Sequence, residues 1–335
     1  MRTGDTVFFD KPVYIAAGAS VVGRREGEGP LRNWFDKVIP DALWGEESFE
    51  KCERKLFTSA VRMAAANAGR FAEKADLLLG GDLLNQVVSA GYSARDLRIP
   101  FLGLYGACST MAESLIVGSM AVDGGFAETV LCAVSSHFGA AERQFRFPLE
   151  LGTPKTPNSQ NTVTGGAATC LSGEHTETVF ARVTAATIGR VVDVGVTDAD
   201  NMGAAMAPAA AQTVLTHFED TGRAPSDYDA IITGDLGKLG AEILKDLCEE
   251  AGTDISAVHR DCGCMIFCGM KDEYCGGSGC ACGGVTLNGY FFKQMRKKKL
   301  SRILFTATGA LLSPTLIQQK DSIPSIAHAV VIERI

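Results

Sequence analysis

Apolar residues along this chain gather into short unbroken runs and longer mixed ones. Unbroken runs at 13–18, 76–80, 99–105 and 129–135 lack the polar alternation of a half-solvated strand, so they predict strands buried on both faces. The longer runs at 49–68, 85–96 and 109–122 predict helices between them. Buried strands joined by helical crossovers imply parallel neighbours and right-handed connections, hence an α/β fold.

The pattern occurs twice. Ala-Asp-Leu-Leu-Leu-Gly-Gly-Asp-Leu at 75–83 matches Tyr-Asp-Ala-Ile-Ile-Thr-Gly-Asp-Leu at 228–236, pairing Asp76 with Asp229 and Asp82 with Asp235. The same offset carries Gly69 onto Gly222, and each glycine closes an amphipathic run, with Cys52, Leu56, Ala60 and Met63 in one and Val214, Leu215 and Phe218 in the other. Both read as helix, glycine cap, buried strand, turn. Val22-Gly23-Arg24 answers Ile188-Gly189-Arg190, and 130–134 answers 303–307. Order is kept while spacing varies, as loop insertions in a duplicated domain produce. The expected halves are 1–177 and 178–335.

Segment 99–122 carries only one charge, Glu113, but Pro100, Gly103 and Gly106 divide it into strand, elbow and buried helix rather than a membrane span of ~20 residues. The N-terminus has neither the basic region nor the apolar run of a signal peptide, which predicts a protein of cytoplasmic origin whose eleven cysteines are thiols. With 335 residues, 46% of them apolar, a large core is attainable. A net charge of -7 leaves no footprint for nucleic acid, and the one basic run, 296–299, reads as a solvated helix end. The stretch 139–163, with Pro148, Pro154 and Pro157, reads as a long irregular loop of the kind that carries function.

Candidate chemistry centres on Leu-Gly-Leu-Tyr-Gly-Ala-Cys-Ser-Thr at 102–110, which places Cys108 and Ser109 at an elbow opening a helix. There the helix dipole would lower the thiol pKa and the free N–H groups would favour an anion. The alternative is a small residue buried at a tight turn. His137 follows a strand, and a helical turn over 142–147 would set Arg143 and Arg146 on one face, either to grip a carboxylate or to anchor the loop. Arg24 and Arg190, equivalent in the two repeats, read as ion-paired. Cys262, Cys264, Cys268, Cys275, Cys280 and Cys282 lack paired Cys-x-x-Cys spacing and read as small buried hydrophobes, with no metal expected. His217 is expected at the surface near a helix end, His175 and His259 in loops, and His328 before the last strand.

A duplicated α/β chain with a cysteine at the start of a buried helix resembles the thiolase superfamily. Within it, Gly-Asp-Leu-Leu-Asn-Gln at 81–86, Gly-Ala-Cys-Ser-Thr at 106–110, Ser-Ser-His at 135–137, Met-Gly-Ala-Ala-Met-Ala-Pro at 202–208, Gly-Gly-Ser-Gly-Cys-Ala-Cys at 276–282 and Thr-Gly-Ala-Leu-Leu-Ser-Pro-Thr at 308–315 resemble the stage V sporulation protein AD (SpoVAD) family along essentially the whole chain. The resemblance implies a thiolase-like fold with central mixed sheets in α-β-α-β-α layers. It also implies a homodimer and a soluble component of the spoVA system, held at the forespore or spore inner membrane by partner proteins. That system moves dipicolinic acid, pyridine-2,6-dicarboxylate, into the developing spore and out at germination, and the family is known for binding it; calcium could travel with the ligand, and no cofactor is implied.

Cys108 falls where the superfamily keeps its nucleophile, but the partners do not follow. Ketoacyl synthases place a histidine after the strand that here ends Thr233-Gly234-Asp235-Leu236, and their asparagine or the thiolase histidine falls within 276–282, which has neither. Without them condensation is disabled. The expectation is a non-catalytic binder with Cys108, Ser109, His137, Arg143, Arg146 and Gly279 at the ligand; the alternative is an acyltransferase using Cys108.

Overall fold

The computed structural model describes residues 1–145, 149–152 and 154–335. The first half contributes strands β1 (Thr6–Val22), β2 (Leu77–Gly81), β3 (Phe101–Gly103), β4 (Thr129–Ser136) and β5 (Gly165–Ser172), the second β6 (Ala181–Thr187), β7 (Ala230–Thr233), β8 (His259–Asp261), β9 (Arg302–Ala310) and β10 (Ser325–Arg334). The principal helices are α1 (Phe49–Asn67), α2 (Val88–Leu97), α3 (Thr110–Asp123), α4 (Phe138–Phe145), α5 (Met202–Thr221), α6 (Gly237–Glu250) and α7 (Cys280–Thr286).

The strands lie in the order β8-β7-β9-β10-β6-β1-β5-β4-β2-β3. From either edge the sequence of strands is the same: third, second, fourth, fifth, first of its half. The duplication is therefore one of topology as well as of motif. Antiparallel pairing of β1 with β6 joins the halves into one hydrogen-bonded sheet rather than two separate ones. The neighbours are also mixed, because β5 and β10 insert antiparallel beside β4 and β9. The run 165–172 is rich in Gly and Ala, which gave no strand signal in the sequence.

Helices α1 and α2 cover the outer face of the first half, α5 and α6 that of the second, while α3 and α7 lie between the halves; α3 touches β4 on one side and β9 and β10 on the other. Successive strand residues point to opposite faces, so both faces must be apolar. Leu78 and Leu131 pack with Leu56 and Phe57 of α1, whereas their neighbours Leu79 and Val130 join Met111 and Leu115 of α3. Burial of each such side chain contributes about 1.5–3 kcal/mol. Among the described residues, no helix is long and apolar enough to cross a membrane.

The paired polar positions have the same tasks in both halves. Gly69 and Gly222 close α1 and α5 at φ +71° and +65°, a conformation that favours glycine. Asp76 Oδ2 accepts from the N–H groups of Glu128 and Thr129, each at 2.9 Å, and Asp229 Oδ2 from those of Ser301 (2.5 Å) and Arg302 (2.9 Å). Three histidines depart from expectation, His328 by lying buried within β10 rather than before it. His217 is fully buried between Thr187 Oγ1 (2.8 Å) and Tyr228 Oη (2.6 Å), and His259 lies in β8 against Thr233 Oγ1 (2.9 Å). Burial pulls each down to about 4, so both are neutral core residues.

Candidate ligand-binding cavity

After β3 the chain turns through Ala107, at φ +51°, into a 3-10 turn (Ala107–Ser109) and then α3. Gly309 of β9 presses against this elbow: a Cβ there would lie 2.5 Å from the Gly106 carbonyl oxygen, so only glycine permits the approach. Ser109 Oγ donates to Gly106 O and Thr110 Oγ1 to Ala107 O, both at 2.6 Å. The Ser109 hydroxyl is thus buried and engaged in the turn. Cys108, half-buried, faces a cavity of about 270 Å³ whose wall includes Leu83, Ala141, Phe145, Met202 and Leu312. Among the described lining residues, Glu142 alone is charged.

Beneath Cys108 lies Asp235, 1% exposed, just beyond β7. Its Oδ1 accepts from Thr308 Oγ1 (2.8 Å) and its Oδ2 from the Gly279 N–H (2.9 Å) and Ser278 Oγ (3.4 Å). Burial pushes its carboxyl up to about 6, opposed by the donors Gly279, Cys108 and Thr308. The Cys108 thiol is pushed well above the ordinary thiol range, first by burial and then by the Asp235 carboxylate it faces. This corrects the expected depression by the helix dipole: a dry site with an anion beneath it outweighs a half-charge at the helix end. Cys108 is a neutral thiol donating toward Asp235.

Cys280, at the start of α7, donates to Ala107 O at 3.1 Å. It is raised by burial and then by Asp82 and Glu53 of the other half. Asp82 accepts from the N–H groups of Leu84 (2.8 Å) and Ala90 (2.7 Å), and burial raises it to about 6; Glu53, raised by burial and by Asp82, takes a hydrogen bond from Ser135 Oγ (3.1 Å). Each half therefore sets an acid just beyond its second strand, near a thiol at the start of the central helix of the other half.

The remaining candidates separate. Gly279, at φ +103°, has its N–H on Asp235 and no room for a side chain, since a Cβ would lie 2.9 Å from Ser136 Oγ. His137 lies outside the cavity wall: Nε2 donates to Ala42 O (2.8 Å), Nδ1 accepts from the Gly139 N–H (3.1 Å), and its ring stacks on Phe49 and Phe138. With both nitrogens engaged and burial pulling it down to about 4, it is an anchor for the start of α4. Arg143 points away from the cavity, ion-paired with Glu50. Arg146 lies outside the described residues. Arg24 pairs with Glu28 and Arg190 with Asp5, each at 2.8 Å. The expected loop at 139–163 begins instead as α4, and α4 supplies Glu142 to the wall.

A second cavity of about 740 Å³ shares Glu142 and Thr162 with the first and is bounded by Arg24, Arg25, Glu26 and Lys155. Burial pushes Glu26 up to about 7, against a hydrogen bond from the Thr164 N–H (3.0 Å). The unfolded chain ionises near the ordinary value, so stability falls as pH rises from there to about 7. Glu26→Gln is expected to stabilise the protein by about 3 kcal/mol at about pH 8, with no gain at about pH 4. Urea midpoints at the two pH values check this; an equal effect at both would refute it.

All eleven cysteines are free thiols. Among the described residues, no group of three His, Cys, Asp or Glu side chains is placed to hold a metal ion. Cys262, Cys275, Cys280 and Cys282 are buried, Cys264 is half-buried and Cys268 exposed.

The architecture is a thiolase-like fold. Solved structures similar to it include a variant of Xanthomonas campestris OleA (TM-score 0.63, 14% identity, covering 98% of this chain and 99% of that one) and human mitochondrial 3-ketoacyl-CoA thiolase in complex with CoA (0.62, 14%, 99% and 100%). Aquifex aeolicus 3-oxoacyl-[acyl-carrier-protein] synthase III follows at 0.58, 12%, 96% and 99%. At such identities the likeness concerns the fold. The family is decided by sequence: the model for stage V sporulation protein AD matches residues 3–333. The chain belongs to the SpoVAD family. It is 46% identical over 329 residues to stage V sporulation protein AD of Bacillus subtilis (strain 168), covering 98% of this chain and 96% of that protein. This SpoVAD-family chain thus carries a thiolase-like fold with a buried acid, Asp235, beneath its elbow cysteine. Asp235 was visible in the sequence as the repeat partner of Asp82 and at the strand end where the superfamily keeps a histidine; Glu142 and Thr162 gave no signal, because only the fold brings them to the wall of this cavity, and Lys155 lines the second cavity.

Proposed function

We propose that the protein is a non-catalytic binder of dipicolinic acid, free or as its calcium chelate, serving its uptake into the developing spore and its release on germination. The observation that carries this reading is the Cys108 cavity itself: an apolar slot at a helix start, with a neutral thiol above a buried aspartate. A flat pyridine ring suits Leu83, Phe145 and Leu312, and the start of α3 favours a carboxylate. Family membership supports the sporulation role.

Titration calorimetry with dipicolinate tests it, with benzene-1,3-dicarboxylate and malonyl-CoA as comparison ligands. Saturable binding of dipicolinate alone supports the carrier. Binding of the CoA thioester with a mass shift on Cys108 supports the acyltransferase instead.

Membrane location through partner proteins of the spoVA system and a homodimer are parts of the same proposal. Edge strand β3 leaves Leu102 54% exposed and the turn beyond it leaves Tyr105 48% exposed, an apolar edge suited to pairing with a second copy. Leu102→Asp is expected to convert a dimer to monomer in light scattering; an unchanged mass would place the interface elsewhere.

A further inference from the structure

Resting on the dipicolinate reading, one feature of the wall between the two cavities goes beyond it. Lys155 Nζ donates to Glu142 Oε1 at 2.8 Å, to Asn161 Oδ1 at 3.1 Å and to Gln160 O at 3.4 Å. The two side chains are 22% and 11% exposed, so the pair is largely withdrawn from water. Glu142 also accepts from the Thr162 N–H at 3.3 Å and faces both cavities.

Among the described residues, the other cations near the site are committed on more exposed ground. Arg143 pairs with Glu50, Arg24 with Glu28, and Arg25 lies over Phe267 while donating to Asp272 O. Among the described residues, an arriving dianion thus meets one carboxylate in the smaller cavity and, bonded to it from the side of the wider cavity, the ammonium that neutralises it. Withdrawn from water, two carboxylates cannot share one ammonium without strong mutual repulsion. An anion that enters must displace Glu142 or be repelled by it.

We propose that Lys155 is the specificity-determining cation of the cavity, exchanging Glu142 for a carboxylate of the ligand, while Glu142 is the internal competitor that keeps the empty site neutral. The exchange breaks one ion pair and forms another, with no covalent step. Glu142, released, turns toward the wider cavity that it also lines.

Dipicolinate titration of four proteins in a calcium-free, chelator-containing buffer tests this: wild type, Lys155→Met, Glu142→Gln and the double variant. Lys155→Met is expected to weaken binding ~10- to 100-fold, the usual range for losing a charge-assisted hydrogen bond. Glu142→Gln is expected to tighten it several-fold by removing the competitor. The double variant should bind as weakly as Lys155→Met while escaping the unpaired buried carboxylate, which separates loss of contact from loss of fold.

Glu142→Gln weakening the affinity as much as Lys155→Met would overturn the exchange and leave the pair a structural strut. So would a Glu142→Gln defect appearing only when calcium is added, which would make Glu142 a ligand to the chelated cation. A wild-type protein that takes up no dipicolinate overturns the binding reading and the exchange with it. Wild-type binding unaffected by any of the variants overturns the exchange alone.

Discussion

Asp235→Asn should raise the rate at which iodoacetamide alkylates Cys108 by about 100-fold at about pH 8. Removing one negative charge near a thiol at an intermediate effective dielectric, where a contact pair interacts by a few kcal/mol and each 1.4 kcal/mol is a factor of ten, gives a change of this size. At that pH the Asp235 carboxyl, titrating at about 6, is ionised, and the Cys108 thiolate would form directly against it. The asparagine oxygen can still accept from the Gly279 N–H, but its amide cannot accept from Thr308 Oγ1, so some stability is lost; thermal midpoints recorded alongside separate that cost from the change in reactivity. Intact-mass kinetics read the alkylation, with Cys108 assigned by peptide mapping because Cys268 is exposed. An unchanged rate on Cys108 would mean that burial alone holds the thiol protonated and that Asp235 serves the loop instead.

The second large effect concerns Asp261, which never touches the cavity. It accepts from Thr233 Oγ1 (2.8 Å) and from the N–H groups of Leu236 (2.9 Å), Gly237 (3.0 Å) and Cys264 (2.8 Å), tying the end of β8 to the turn that carries Asp235. Asp261→Ala leaves the three N–H groups without their acceptor in a dry interior, where each orphaned group costs about 1–3 kcal/mol before the structure relaxes, while Thr233 Oγ1 can still turn to His259 Nε2 at 2.9 Å. A loss of about 3–5 kcal/mol in urea unfolding is expected, the range for breaking a buried polar network. Because the turn then loosens, Cys108 alkylation should also rise, though less than in Asp235→Asn. A stability loss under about 1 kcal/mol would show that water replaces the carboxylate.

The two variants test different reaches of one arrangement: an acid that sets the state of the cysteine, and a second acid that holds the first. Together they account for why a helix-start cysteine, which in isolation would be activated, is held as a neutral thiol here. The same burial logic governs Asp82, Glu53 and Cys280 across the pseudo-symmetric copy.

Local and periodic features were legible in the chain. The apolar runs predicted β2, β4, α1 and α3 to within about two residues, since a strand buried on both faces must be apolar throughout and a covering helix must be amphipathic. The matched Gly69 and Gly222, and Asp76 and Asp229, announced the duplication because each performs a backbone task that depends on neighbours in its own half. Strand β5 escaped, being built of residues with little strand signal, and the N-terminal part of β1 was missed for want of a continuous apolar run.

The site was legible only in part. Cys108 and Gly279 were brought into one site only by the resemblance, which sets Cys108 at the superfamily's nucleophile position and 276–282 at that of its asparagine or histidine. His137 and Arg143 were plausible as ligands by residue type, yet the ring of one is taken up by Ala42 and Gly139 and the guanidinium of the other by Glu50. No spacing rule could foresee those partners, which lie up to 95 residues away in the chain.

The sequence by itself determined the α/β class, the two-fold repetition and the family, because periodicity, caps and long motifs are properties of consecutive residues. Only the tertiary structure decided the electrostatic character of the cavity. The charge state of Cys108 depends on Asp235, delivered from the other half of the molecule, and on the exclusion of water by surrounding strands; the sign of the wall depends on α4 folding Glu142 over the elbow toward Lys155. Desolvation and through-space charge act over a few ångströms in space, and positions far apart along the chain carry no record of that closeness.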